Sequence, residues 1–146
     1  MTIRGKLLRE RARENPTYRG PMQNAISWFE IPTENLDRAK KFYETILAAT
    51  FTTMRAGPTG PRLALFPVDP TKGVGGALAQ GSGYSSTTFG TKVYLNAGED
   101  LAVVLDRVEA AGGTIAVPKT QISPQFGYMG AFIDTEGNWI GLHSMH

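Results

Sequence analysis

The stretch "FIDTEGNWIGLHSMH", residues 132–146, holds both histidines of the chain, His143 and His146. Neutral imidazole is the commonest metal ligand, and imidazole is the usual general base near pH 7. Two histidines this close together point to a metal centre or an acid–base pair. They equally fit the end of a sheet, with His143 a strand-end residue hydrogen-bonded near a rim and His146 solvated. Other reactive groups are sparse. The absence of cysteine removes disulfides, thiolate metal sites and thiol nucleophiles. No G-x-S-x-G elbow occurs, and "GSGYSSTTFG" (81–90) does not supply one. No phosphate-cradling G-x-x-x-x-G-K-[ST] loop occurs either.

Any such group needs a frame, and the frame occurs twice. "AISWFEIP" is rich in β-branched and aromatic residues and stopped by Pro32, which predicts a strand. "TENLDRAKKFYETILAAT" follows, with Thr33 or Asn35 as a helix cap and Leu36, Ala39, Tyr43, Ile46 and Leu47 near one helical stripe. "FTTMRA", "PRLALFPV" and "VGGALAQ" are three short strands parted by Gly and Pro turns. The second copy opens with the strand "TKVYLNA". Its helix, "GEDLAVVLDRVEAAGG", has Asp100 as cap, Leu101, Val104, Leu105 and Val108 as stripe, and Gly112 and Gly113 as stop. "TIAVPKT", "YMGAFID" and "NWIGLHS" are three more strands, the last two joined through the tight turn "TEG".

The expected architecture is therefore α+β: paired βαβββ modules forming an open, curled eight-stranded mixed sheet cup. Module 1 spans about 24–80 and module 2 about 90–145, within a domain at 22–146. A sheet covered by a helix on one face leaves the other to bury, and the cup interior is the natural ligand pocket. Residues 1–21 form a basic arm. Over residues 1–20 it carries Arg4, Lys6, Arg9, Arg11, Arg13 and Arg19 against Glu10 and Glu14, so the remainder of this +2 chain is net acidic. Such an arm is either a solvated tail with a short helix at Lys6–Glu14 or a docking segment for a partner. The body shows no matching basic face, so nucleic acid is not expected as a partner. No apolar run approaches the ~20 residues of a membrane span. The first residues lack a secretory apolar stretch, and a cytoplasmic protein is expected.

"EIPTENLDRAKKFYETIL", "RVEAAGGTI" and "FIDTEGNWIGLHS", in this order and spacing, resemble the vicinal oxygen chelate superfamily over roughly residues 24–144. That superfamily includes glyoxalase I, bleomycin-resistance proteins and extradiol dioxygenases. The "FEIP" opening and "GLHS" close look most like its glyoxalase-related members of poorly defined activity. The resemblance implies one divalent metal in the cup, held by His, Gln or Glu from the first and last strands of each half. It also implies lyase, isomerase or dioxygenase-type chemistry, or simple sequestration of a ligand, and a homodimer.

Registering the helices and the "DTEGNWIGL" turn on that pattern places the four ligand positions at Trp28, near Gly76 or Ala77, at Val93 and at Gly141. None ligates a divalent ion through its side chain: indole offers only an N–H donor, and the others offer nothing. The expected cofactor is therefore none, with one divalent metal as the alternative. Trp28 is then a core residue or an aromatic wall of a small-molecule pocket. If Trp28 and Gly141 face the cup, strand alternation turns Glu30, Trp139 and His143 inward as well. Glu30 and His143 are the candidate acid–base pair, or too few displaced metal ligands. Trp28, Glu30, Phe126, Tyr128, Trp139 and His143 are the candidate ligand-binding set, with Phe126 and Tyr128 closing from a loop. "GPTGPR" and "GSGYSSTTFG" read as mobile loops, the second a candidate lid. Three functions remain open: a metal-free binder of a small organic molecule, an enzyme using displaced metal ligands or Glu30 and His143, and an assembly protein whose basic arm docks on a partner.

Overall fold

The computed structural model describes residues 2–6 and 23–146. Residues 3–6 form one helical turn, and the remainder of the expected arm helix to Glu14 lies outside the described residues. The domain runs β1 (Phe29–Pro32), α1 (Leu36–Leu47), β2 (Thr52–Arg55), β3 (Arg62–Leu65), β4 (Gly76–Gln80), β5 (Tyr94–Asn96), α2 (Leu101–Ala111), β6 (Thr114–Ser123), β7 (Gly127–Ile133) and β8 (Trp139–Ser144).

Local chemistry sets the helix ends. Asn35, in extended backbone, accepts from the Arg38 N–H at 3.0 Å, and Asp100 accepts from the Ala102 N–H at 2.9 Å. Each satisfies a first-turn donor that the helix itself leaves unpaired. Thr33, the other cap candidate, is buried and donates to the Ala79 carbonyl instead. At the far end of α2, Gly112 adopts φ 106°, a left-handed stop that a side chain disfavours. Replacing Asn35 by alanine is expected to cost about 1 kcal/mol. A melting point lower by roughly 4 °C in a circular dichroism melt checks this.

Two four-stranded sheets form, ordered β1-β4-β3-β2 and β5-β8-β7-β6, and they do not close into a barrel. In each, the first strand pairs in parallel with the last of its module, and the other pairings are antiparallel. Both sheets turn one face toward the helices. Ile31, Ala64, Leu78, Leu95, Phe132, Ile140 and Leu142 pack with the buried faces of α1 and α2 in one shared core. Phe42, Tyr43, Phe66 and Phe132 interlock there through tilted and edge-on rings 5.1–6.1 Å apart. On the opposite face of the first sheet, Leu63, Ala77 and Ala79 make a smaller apolar cluster against Leu65 and Tyr84. That face is the inside of the cup.

A polar clamp ties the modules together. The turn between β7 and β8 sends the Glu136 carboxylate, whose side chain is fully buried, to the start of α1. It accepts from the Glu34 and Asn35 N–H groups at 3.0 and 2.7 Å, from both ends of the Arg38 guanidinium at 2.7 and 3.1 Å, and from Thr135 Oγ1 at 2.9 Å. An anion at a helix N-terminus is favoured by the backbone dipoles as well as by the hydrogen bonds. Beneath it, buried Asp134 accepts from the Tyr43 hydroxyl at 2.7 Å, and from the Glu136 and Asn138 backbone at 2.8 and 2.9 Å. Burial, then the charge of Asp134 and its hydrogen bond, hold the Tyr43 phenol well above its ordinary pKa.

Candidate functional site

Alternation along β1 and β8 decides what enters the cup. Ile31 packs into the helix-side core and Phe29 lies against it, so Trp28 and Glu30 turn the other way. On β8, Ile140 and Leu142 belong to the same core, which turns Trp139, Gly141 and His143 to the cup. Trp28 is 45% exposed and its indole N–H donates to Glu30 Oε1 at 3.3 Å. The half-exposed indole is thus not a core residue.

One of the registered ligand positions requires correction, and a second is narrowed to one of its two alternatives. Val93 leans on the helix-side core, and Tyr94 takes the cup face, opposite Gly141 across the parallel ladder. A Cβ on Gly141 would fall 2.5 Å from Tyr94 Cδ1, so the ring lies over the bare backbone. On β4, Gly76 pairs with Phe29 on the core side, where a Cβ would meet that ring at 2.5 Å. Ala77, beside Glu30, is the residue on the cup face. The four cup positions are therefore Trp28, Ala77, Tyr94 and Gly141.

Between the sheets, β1 residues 29–32, the segment 87–93 and Asn138–Ile140 enclose a cleft of about 350 Å³, mostly apolar. It adjoins a second hollow of about 480 Å³ through Phe29, Thr91 and Val93, which also takes in Trp28, Phe66 and Tyr94. Both tryptophans of the chain thus line this joined space. Trp139 stands edge to face with Tyr94, ring centres 5.8 Å apart, and carries the Lys92 ammonium 4.6 Å above its ring.

Glu30 meets a residue that strand patterning did not single out. The Tyr84 hydroxyl donates to Glu30 Oε2, across 54 residues of chain. That hydrogen bond, then partial burial and the charge of Glu30, raise the Tyr84 phenol above its ordinary pKa. The same segment is fastened by the Ser86 N–H to Glu34 at 3.1 Å, Ser86 Oγ to the Pro32 carbonyl at 3.2 Å, and the Thr87 N–H to Asn138 Oδ1 at 3.1 Å. The expected lid "GSGYSSTTFG" is thus a pinned wall of the cleft.

Glu30 and His143 are not brought together. Glu30 lines the cleft beside Trp139, and His143 lies four residues further along β8, about 13 Å at strand rise. His143 Nε2 sits 2.6 Å from the Phe126 carbonyl, so the imidazole fastens the β6–β7 turn. The Phe126 ring is 59% exposed. Tyr128 pairs with Ser144 on the helix side of the sheet, under the Lys119 ammonium at 4.6 Å, and leaves the proposed ligand set. Alternation along β7 from Phe132 through Gly130 puts it there.

The divalent metal that the resemblance implies does not fit these residues. The four cup positions carry indole, methyl, phenol and bare backbone, and among the described residues no three His, Asp or Glu side chains converge. No helix among the described residues is long and apolar enough to cross a membrane.

The family model described as the Glyoxalase/Bleomycin resistance protein/Dioxygenase superfamily matches residues 25–142. No curated protein sequence matches. Among solved structures, a glyoxalase I mutant from Zea mays superposes with TM-score 0.63 at 18% identity, over 87% of this chain and 49% of that one. The chain thus spans about half the length of that relative. A glyoxalase/bleomycin resistance protein from Albidiferax ferrireducens superposes with TM-score 0.60 at 16% identity, over 83% of this chain and 98% of its own. A trypanothione-dependent glyoxalase I from Leishmania major gives 0.61 at 16%, over 84% and 88%.

Proposed function

This chain belongs to the Glyoxalase/Bleomycin resistance protein/Dioxygenase superfamily, and from that premise we propose that it holds a small organic molecule in its cup without a protein-bound metal ion. The observation that carries the reading is the inner face: Trp28, Ala77, Tyr94 and Gly141 stand where a ligand set would be needed. Trp28, Tyr94 and Trp139 offer aromatic walls, and Glu30, Thr87, Thr91 and Asn138 offer the few polar contacts that orient a ligand. A homodimer belongs to the same reading. The outer strands β2 and β6 each pair on one side only among the described elements, and such edges invite pairing. The cytoplasmic placement stays with it as part of the proposal.

Calorimetric titration with Zn²⁺, Ni²⁺, Mn²⁺ and Fe²⁺ tests the metal half. No binding tighter than micromolar is expected, and tighter binding that disappears in His143→Ala overturns it. For the cup, the apolar fluorophore N-phenylnaphthylamine is expected to bind saturably and to lose about tenfold in affinity in Trp28→Ala, the order expected for one aromatic contact. Unchanged binding in that variant removes Trp28 as a wall.

An enzyme of lyase, isomerase or dioxygenase type is the second reading, and one observation favours it. The Tyr84 hydroxyl and the Glu30 carboxylate share a hydrogen bond beside the cleft, a pairing able to move a proton. Full activity of Glu30→Gln on whatever substrate is turned over rules out that role.

A further inference from the structure

Among the residues lining the cleft between the sheets, Glu30 alone carries an acidic or basic side chain. Its two side-chain partners, the Trp28 indole and the Tyr84 hydroxyl, are neutral donors. They orient the carboxylate without supplying a compensating charge. Among the described residues no cation comes within ion-pair distance of it. Glu30 is exposed at the edge of the cleft, where its carboxylate is open to an incoming cation.

The aromatic walls favour the same sign of charge. An indole face is the strongest π-surface for a cation. Trp139 already shows this, with Lys92 seated over its ring at 4.6 Å. Trp28 is tethered to Glu30 through its N–H, which fixes indole and carboxylate relative to each other.

We propose that the cleft recognises an organic cation, an amine or quaternary ammonium carried on a flat apolar body, with Glu30 as counter-ion and the two indoles as walls. This rests on the reading of the cup as a small-molecule site and names the chemical class it takes. Lys92 is then a built-in competitor: its ammonium holds the Trp139 face until the ligand's cationic group displaces it.

Because both tryptophans of the chain line this space, fluorescence excited selectively at tryptophan reports on it. Three probes of similar shape and different charge are titrated: phenyltrimethylammonium, neutral N,N-dimethylaniline and benzenesulfonate. The cation is expected to quench saturably with at least tenfold higher affinity than the other two. Glu30→Gln is expected to erase that preference. Lys92→Met, at an exposed position, is expected to strengthen cation binding several-fold, whereas an anion site would weaken. Equal or tighter binding of benzenesulfonate, a preference that survives Glu30→Gln, or weaker cation binding in Lys92→Met overturns the proposal. Saturable binding of the neutral probe alone does the same while leaving the small-molecule reading standing. Saturable binding of none of the three sinks both.

Discussion

Replacing Glu136 by alanine is expected to lower the melting temperature by roughly 10 °C, the equivalent of about 3 kcal/mol for a domain of this size. The carboxylate is fully buried, and five donor contacts from three segments converge on it. Its removal strands the Glu34 and Asn35 N–H groups at the start of α1, and a donor left unsatisfied costs about 1–3 kcal/mol. Glutamine keeps part of the geometry and loses the charge, so Glu136→Gln is expected to fall between alanine and the native protein. Burial raises the pKa of this carboxyl. The hydrogen bonds from Arg38, the Asn35 N–H and Thr135, with the charge of Arg38, more than offset that and leave it below the ordinary value. A depressed carboxyl stabilises the fold above its unfolded pKa of about 4.3. That stabilisation is lost as pH falls through the lower folded value. Melts between pH 3 and pH 7 should show a steeper acid limb in the native protein than in Glu136→Gln. Identical limbs would mean that Glu136 is not the group responsible.

The second large effect is expected at Gly141. Its backbone has an ordinary φ, so alanine meets no conformational penalty there. The added Cβ meets the Tyr94 ring at 2.5–2.8 Å and nothing closer. Gly141→Ala is expected to cost about 2 kcal/mol, the scale of one overpacked group. Tyr94→Ala in the same chain should restore most of it, because it removes the three atoms nearest the added Cβ. The pair should therefore be strongly non-additive, with a coupling of about 1–2 kcal/mol in a denaturant-melt double-mutant cycle. Additive costs would show that the ring yields freely. In the cup, a side chain at 141 and the Tyr94 ring contend for one volume.

One-sided burial made much of this legible before any coordinates. On β1 and β8 the helix side is apolar at every second residue, so Ile31, Ile140 and Leu142 fix the parity that turns Trp28, Glu30, Trp139 and His143 to the cup. The α2 stripe, the Asp100 cap and the Gly112 stop were visible for the same reason: each is a local device. β5 resisted because it is three residues long and set in "VYLNA", where Val93, Tyr94 and Leu95 are all apolar enough for either face. Tyr128 was misplaced because it reads as part of a loop, whereas it lies on β7 with the parity of Phe132, which turns it to the helix side. The meeting of Tyr84 with Glu30, and of Glu136 with the first turn of α1, depends on chain closure over 54 and about 100 residues. No periodicity encodes such a contact.

The clamp at Glu136 also orders events in time. The N–H groups at residues 34 and 35 await a carboxylate made 102 and 101 residues later. At about 5–20 residues per second of synthesis, α1 spends roughly 5–20 s without that partner. The first module is thus born with its leading helix unfinished, and the hairpin near the end of the chain completes it. Slow, late locking of this kind raises the contact order and delays the cooperative step. A nascent chain stalled short of Glu136 is where a chaperone, or a misfold, would find its opening.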